Sequence, residues 1–159
     1  QVQAMFRKIV ADDTLDAIAK WNLSLQATGN WKLERKEEIL ELIRMQMRPE
    51  NVLLQYKLRQ EMFSITVAEY ARIIAQGVEE GVFNALYVEE SAGVVLSILT
   101  GFQESMIDIF LNPEQLENPT SYVLYKYKAI QTAIERVLGA AEGSLPIVDE
   151  ALIRAWFAD

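Results

Sequence analysis

The sequence contains no cysteine and no histidine, and these two absences exclude several classes of functional site. Without cysteine there is no disulfide framework, no thiolate nucleophile and no zinc site of the Cys/His type. Without histidine there is no Ser-His-Asp triad and no side chain whose unperturbed pKa lies near neutrality. A metal ion would have only oxygen ligands, and the sequence predicts neither a metal nor a cofactor.

Acidic pairs are the remaining candidates for acid–base chemistry. Glutamates stand next to each other at 37–38, 79–80 and 89–90. Adjacent residues of a helix point about 100° apart, so such a pair does not converge on one substrate atom. We therefore predict no catalytic residue and do not expect an enzyme.

Basic charge is also scarce. The 159 residues include 15 Lys and Arg against 23 Asp and Glu, which gives a net charge of −8. Binding of nucleic-acid phosphates requires a clustered basic face. The cluster Lys32, Arg35 and Lys36 is surrounded by glutamates, and we interpret it as a solvated helix face. The longest uncharged apolar stretch, 91–102, is shorter than the roughly 18–20 residues of a membrane-spanning helix, so no membrane partner is expected.

Glycine and proline are few, with seven and four residues, and helical periodicity runs through most of the chain. A hydrophobic fraction of 51% is typical of a folded domain. The pattern predicts an all-α fold, a single helical-bundle domain of about seven helices covering residues 1–159. The predicted helices span residues 2–10, 14–29, 32–47, 50–80, 89–111, 121–138 and 147–157.

A family resemblance is found at residues 73–83, which read Ile-Ile-Ala-Gln-Gly-Val-Glu-Glu-Gly-Val-Phe. This stretch resembles the pattern I-I-x-Q-G-x-x-E-G-x-F in the regulatory domain of TetR-family transcriptional regulators. There it ends a long helix, and the next helix carries small apolar residues and then a glycine, which Ala92 and Gly101 match. Residues 87–90 depart from the family, where an Asp-Pro helix start is common. The likeness extends more loosely over the whole chain.

The resemblance implies a function as well as a fold. Such regulators join an N-terminal helix-turn-helix domain that binds operator DNA to an all-helical domain that binds a small molecule and dimerises. Since the sequence begins with Gln1, we expect the DNA-binding domain upstream and residues 1–11 as the linking helix. The expected protein is a cytoplasmic repressor, a homodimer whose effector moves the linking helix and changes the spacing of the two DNA-reading domains.

The helical stripes suggest where an effector would bind. Sites between bundle helices are mainly apolar with a few polar groups. Apolar candidates come from the second helix, the long helix and the helix at 89–111, and polar candidates interrupt the last two. For the apolar residues the alternative is core packing; for the polar ones it is exposure or internal pairing, such as Arg59 with Glu104. The predicted ligand-binding residues are Trp21, Leu25, Gln55, Arg59, Met62, Phe63, Tyr70, Phe102, Gln103 and Met106.

The helix at 89–111 has two apolar stripes, which indicates burial on two sides. One stripe runs through Ala92, Val95 and Leu99, and the other mixes bulky and small residues. Together with part of the penultimate helix, the second stripe predicts a four-helix dimer interface. Alternatively, the last helix, with Trp156, covers that stripe within one chain. The predicted interface residues are Val94, Ile98, Gly101, Ser105, Ile109, Tyr122, Lys126, Ala129 and Ala133.

Two function classes remain open at this point besides an enzyme. The first is the effector-binding regulator, and the second is a stand-alone helical module that binds other proteins without a ligand cavity. An apolar cavity with a few polar groups would favour the regulator. A solid core with an exposed apolar groove would favour the module.

Overall fold

The fold is seen in a computed structural model that describes residues 2–158. In that range there are eight α-helices, two short 3-10 turns and no strand. The predicted all-α helical domain is confirmed, with eight helices where about seven were expected. Gln1 and Asp159, the ends of the predicted domain, lie outside the described residues. The helices are α1 (Val2–Val10), α2 (Ala17–Glu34), α3 (Lys36–Gln46), α4 (Val52–Glu79), α5 (Val88–Ser105), α6 (Ile107–Leu111), α7 (Pro119–Leu138) and α8 (Glu150–Trp156).

The second helix is longer than predicted. We expected it to end at Gly29, but α2 continues to Glu34, and the break falls at Arg35. A Cβ added at Gly29 would lie 2.8 Å from Cδ1 of Leu152 on α8. The glycine therefore allows α8 to approach closely and does not end the helix. At the other end, the Asp16 carboxylate accepts a hydrogen bond from the Ala19 amide at 2.7 Å, which is ordinary N-capping.

The helix predicted over 89–111 is also divided in two. The break lies at Met106, between α5 and α6. The Ser105 hydroxyl donates to the Phe102 carbonyl, and the Met106 amide bonds to Gln103 in a tighter turn. Since serine hydroxyls compete for backbone acceptors, Ser105 accounts for the local change in helix geometry.

The 28 residues of α4 form the longest helix, about 42 Å at the usual rise. Its C-terminal half is buried in the centre of the bundle through Tyr70, Ile73 and Ile74. In its N-terminal half large apolar side chains, from Val52 to Met62, are exposed. The helix thus runs from the core to an apolar region of the surface.

The C-terminal end of α4 is fastened to the junction of α1 and α2. The Gln76 amide donates to the Leu15 carbonyl at 2.9 Å and to Glu80 at 2.6 Å. Glu80 in turn accepts from the Ala17 amide at 2.9 Å. Since Leu15 and Ala17 flank the start of α2, these two side chains hold the end of α4 at the start of α2.

Two glycines of the same stretch have separate structural roles. A Cβ at Gly77 would lie 2.1 Å from Cδ2 of Phe83, so only glycine leaves room for this buried ring. Gly81 adopts φ 75°, a left-handed conformation that favours glycine after a helix. The four polar or glycine positions that carry the family resemblance therefore all have structural roles; they are Gln76, Gly77, Glu80 and Gly81.

Buried side chains form two cores. The larger one is centred on α2, α4, α5 and α7, and includes Trp21, Ile74, Val95 and Ile134. The smaller one lies towards the C-terminal ends of α5 and α8, and consists of Phe102, Met106, Val123 and Ile153. No helix within residues 2–158 is long and apolar enough to cross a membrane.

Candidate functional site

A cavity of about 470 Å³ lies beside the smaller core, between α2, α3, α4, α5, α6 and α8. This volume is within the usual range of small-molecule sites, roughly 300–1,000 Å³. Its rim reaches the surface, since the lining residues Met47, Leu58 and Met62 are exposed. The lining residues are Gly29, Lys32, Leu33, Ile39, Ile43, Gln46, Met47, Gln55, Leu58, Arg59, Met62, Thr100, Gln103, Glu104, Ile107, Phe110, Tyr127, Val148, Leu152, Ile153 and Trp156.

Aromatic side chains support the wall formed by α6 and α8. Phe110 packs edge-on against Trp156, with ring centroids 5.4 Å apart, and stacks on Phe157 at 5.8 Å. Tyr127 on α7 contacts Phe102 at 4.7 Å. Burial raises the pKa of the Tyr127 phenol to about 12, so it stays neutral at physiological pH. This side of the cavity is therefore apolar and uncharged.

The opposite wall, formed by α4 and α5, is more polar. Arg59 on α4 and Glu104 on α5 form an ion pair at 2.7 Å, and Gln55 and Gln103 line the cavity beside them. Both charged side chains are about half exposed, so the pair contributes little to stability. It connects the two helices at the mouth of the cavity.

Lys32 differs from the other charged residues of the lining. It lies near the end of α2, is partly buried, and has no hydrogen-bond or ion-pair partner within residues 2–158. Burial lowers the pKa of its ammonium group, because the charged form loses hydration without gaining an acceptor. The cavity thus contains one cation whose charge is not matched by a neighbouring side chain.

No family model, no curated protein and no solved structure matches this chain. Over residues 2–158 no group of three or more acidic side chains is arranged to hold a metal ion.

The structure brings together four of the ten predicted ligand-binding residues. Gln55, Arg59, Met62 and Gln103 all line the cavity. Their helical phase was assigned from the apolar stripes of α4 and α5, and those two helices are long and regular. The alternative considered for Arg59, pairing with Glu104, is also observed, so Arg59 both lines the cavity and forms an ion pair.

The other six predicted residues lie elsewhere. Trp21 and Tyr70 are buried in the larger core, where their rings meet at 5.4 Å, and Leu25 packs against the same cluster. Phe102 and Met106 belong to the smaller core, next to lining residues but not among them. The sixth residue, Phe63, borders a shallow surface depression with Val94 and Ile98.

Sequence reasoning missed Lys32 and most of the α3 and α8 walls. Lys32 was interpreted as part of a solvated helix face because glutamates surround the cluster Lys32, Arg35 and Lys36 in the sequence. The structure places Lys32 in the cavity lining, so that interpretation is wrong for this residue. If α2 is extended by one turn, Lys32 lies about one helical turn after Gly29, on the side of α2 that faces α8.

The predicted interface residues remain accessible in the single chain. Val94 and Tyr122 are large apolar side chains that are 48% and 40% exposed. The small residues Gly101, Ser105 and Ala129 are exposed, while Ile98, Ile109, Lys126 and Ala133 are partly buried. Instead of covering this face, Trp156 packs on Phe110 and lines the cavity.

Proposed function

We propose that this chain is the regulatory domain of a TetR-like transcriptional repressor that binds a small, largely apolar effector. The observation that carries the proposal is that one helix, α4, borders both the cavity and α1. The effector would enter the cavity, and α1 would transmit its binding to an upstream helix-turn-helix domain. The resemblance at residues 73–83 supports the family assignment.

Two polar contacts connect α4 to α1. The Gln3 amide donates to the sulfur of Met62 at 3.2 Å, and Met62 also lines the cavity. Two turns further along α4, Glu69 pairs with Arg7 at 3.5 Å. A ligand that displaces the N-terminal half of α4 would therefore change the surface on which α1 rests.

The hydrogen bonds of Gln76 and Glu80 would hold one end of α4 in place during such a displacement. These side chains hold the C-terminal end of α4 to the start of α2. The N-terminal half, in contrast, is exposed on most of its sides, with Leu54 56% exposed. Movement at the cavity would thus be a rotation of α4 about its buried end, which shifts α1 sideways.

Dimerisation completes the proposed mechanism. The accessible face of α5 and α7, with Val94 and Tyr122, would pair with the same face of a second copy around a two-fold axis. Two linked DNA-binding domains would then read half-sites about one helical turn of DNA apart. A sideways shift of α1 in each copy would change that separation and release the operator.

Native mass spectrometry of the purified chain tests the proposal, because it reports oligomeric state and bound small molecules together. We expect a species of twice the 18.1 kDa chain mass, with extra mass where an effector is retained. A monomer at all micromolar concentrations that binds no apolar compound would overturn the proposal.

A second candidate is the helical interaction module, favoured by one observation. Between Leu42 and Met62 nine large apolar side chains are exposed, and a large exposed apolar patch is typical of an interaction surface. In this case the cavity rim would be part of a protein-binding groove. The two candidates differ in ligand response: a small apolar compound raises the melting temperature of the regulator by occupying the cavity, and leaves the module unchanged.

A further inference from the structure

Lys32 is an unusual residue to find in the wall of an apolar cavity. An ammonium group that leaves water without gaining an acceptor is costly, and proteins normally pair such a charge. Here burial lowers the pKa of Lys32, and no carboxylate within residues 2–158 pairs with it. An anion in the cavity would supply the missing partner.

The charge balance of the lining also favours an anionic ligand. Besides Lys32, the charged lining residues are Arg59 and Glu104, which neutralise each other at 2.7 Å. The cavity therefore carries one net positive charge, although the whole chain carries −8. A ligand with a single negative charge would balance the cavity without breaking an existing ion pair.

The rest of the cavity lining favours a ligand whose remaining part is apolar and uncharged. The α3 and α8 walls present Ile39, Ile43, Leu152 and Trp156, which offer no charge. The amides of Gln46 and Gln103 are neutral and can serve a single polar group. A highly charged ligand would leave most of its charge without a partner here.

We propose that the cavity binds an amphipathic monoanion, an apolar body with one carboxylate-like head group, and that Lys32 is the counter-charge of that head group. This inference rests on the proposed effector site and specifies its ligand class. Lysine acts as a point charge and not as a planar fork, so the head group is defined by its charge more than by its shape.

Isothermal titration calorimetry with three probes of equal chain length tests the charge preference. Decanoate, decanol and decyltrimethylammonium share an apolar body and differ in head-group charge. We expect decanoate to bind at least about tenfold more tightly than decanol, as charge-assisted hydrogen bonds are the stronger ones. The cationic probe should bind most weakly, because it meets the Lys32 charge.

Three variants assign the preference to Lys32. In Lys32→Met the ratio of decanoate to decanol affinity should fall to about one, while Lys32→Arg should retain most of it. Lys128→Met makes the same change of net charge at an exposed position of α7 outside the lining, and should behave as the wild type. Thermal melting of each variant verifies folding; Lys32→Met should melt at or above the wild-type temperature, since it removes an unpaired, partly buried charge.

The outcomes separate this inference from the proposed function. If all three probes bind equally, or the cation binds best, the monoanion inference is overturned and the effector cavity stands. The same holds if Lys32→Met keeps the full preference for decanoate. If none of the probes binds to the folded wild type, the proposed effector site itself fails.

Discussion

Glu135 shows how one buried carboxylate organises the connection between α7 and α8. Only 4% of this residue is exposed, and its Oε1 accepts hydrogen bonds from Gln131 at 2.8 Å and from the Leu145 amide at 3.0 Å. Burial alone would raise the pKa of Glu135, but these bonds and one from the Gly143 amide lower it overall. The charged form is therefore the form that the fold stabilises.

The substitution Glu135→Gln should lower the free energy of unfolding by about 1–2 kcal/mol at pH 7, since the new amide nitrogen faces amide donors. Because the pKa of Glu135 is lower in the folded state than in the unfolded state, its contribution is present above the unfolded pKa. It is lost as the pH falls below about 4.3. Urea unfolding at pH 7 and pH 4 measures both effects.

Glu142→Gln is the matched control, because Glu142 is an exposed acid in the same connection. It should leave stability at pH 7 unchanged. Equal losses in the two variants, or a difference between wild type and Glu135→Gln that does not shrink at pH 4, would contradict the role given to Glu135.

At the scale of elements, the close approach of α4 to the turn that follows it depends on Gly77. Phe83 is buried against this position, and a Cβ at residue 77 would overlap its ring. Gly77→Ala should therefore lower the free energy of unfolding by about 2 kcal/mol, although alanine is the better helix former. Chemical denaturation measures the change.

The control for this prediction is Gly93→Ala on α5, where a Cβ would meet no atom within 4 Å. Helix propensity alone should then raise stability by up to about 1 kcal/mol. If Gly77→Ala also stabilises the chain, the Phe83 ring has room to move, and the packing argument is wrong.

Long regular elements could be predicted from the sequence, whereas their ends depend on contacts that the sequence does not display. Gln55 on α4 and Gln103 on α5, both predicted from helical phase to face a site between helices, line the cavity, and their ligand-binding role stays a prediction. The predicted end of α2 was wrong because the glycine at position 29 makes room for Leu152, more than 120 residues later in the chain, and does not end the helix. That error of one turn assigned Lys32 to the following helix, whereas it belongs to the last turn of α2 and lines the cavity.

At the scale of the whole molecule, the proposed dimer depends on the face that contains Gly101. In the single chain a Cβ there meets no atom within 4 Å, so a large side chain is compatible with folding. In the proposed dimer it would meet the partner helix near the two-fold axis. Gly101→Arg should therefore convert a dimer into a folded monomer, as measured by sedimentation velocity and circular dichroism.

Ala155→Arg is the control, because Ala155 is an exposed residue of α8 outside the proposed interface. It should remain dimeric. A Gly101→Arg protein that stays dimeric would show that the copies associate through another surface, such as the exposed apolar segment between Leu42 and Met62.

The double position of Met62, at the cavity and against α1, also limits how the protein can acquire a new ligand. If α4 transmits ligand binding to α1 as proposed, a substitution there would alter affinity and response together, so the two properties could not be selected independently at this residue. The walls contributed by α3 and α8 are different, because the main packing partners of α1 are α2 and α4. Under the proposed function, engineering of specificity would therefore begin at Ile43 and Leu152, where the preferred molecule could change while the switching behaviour is retained.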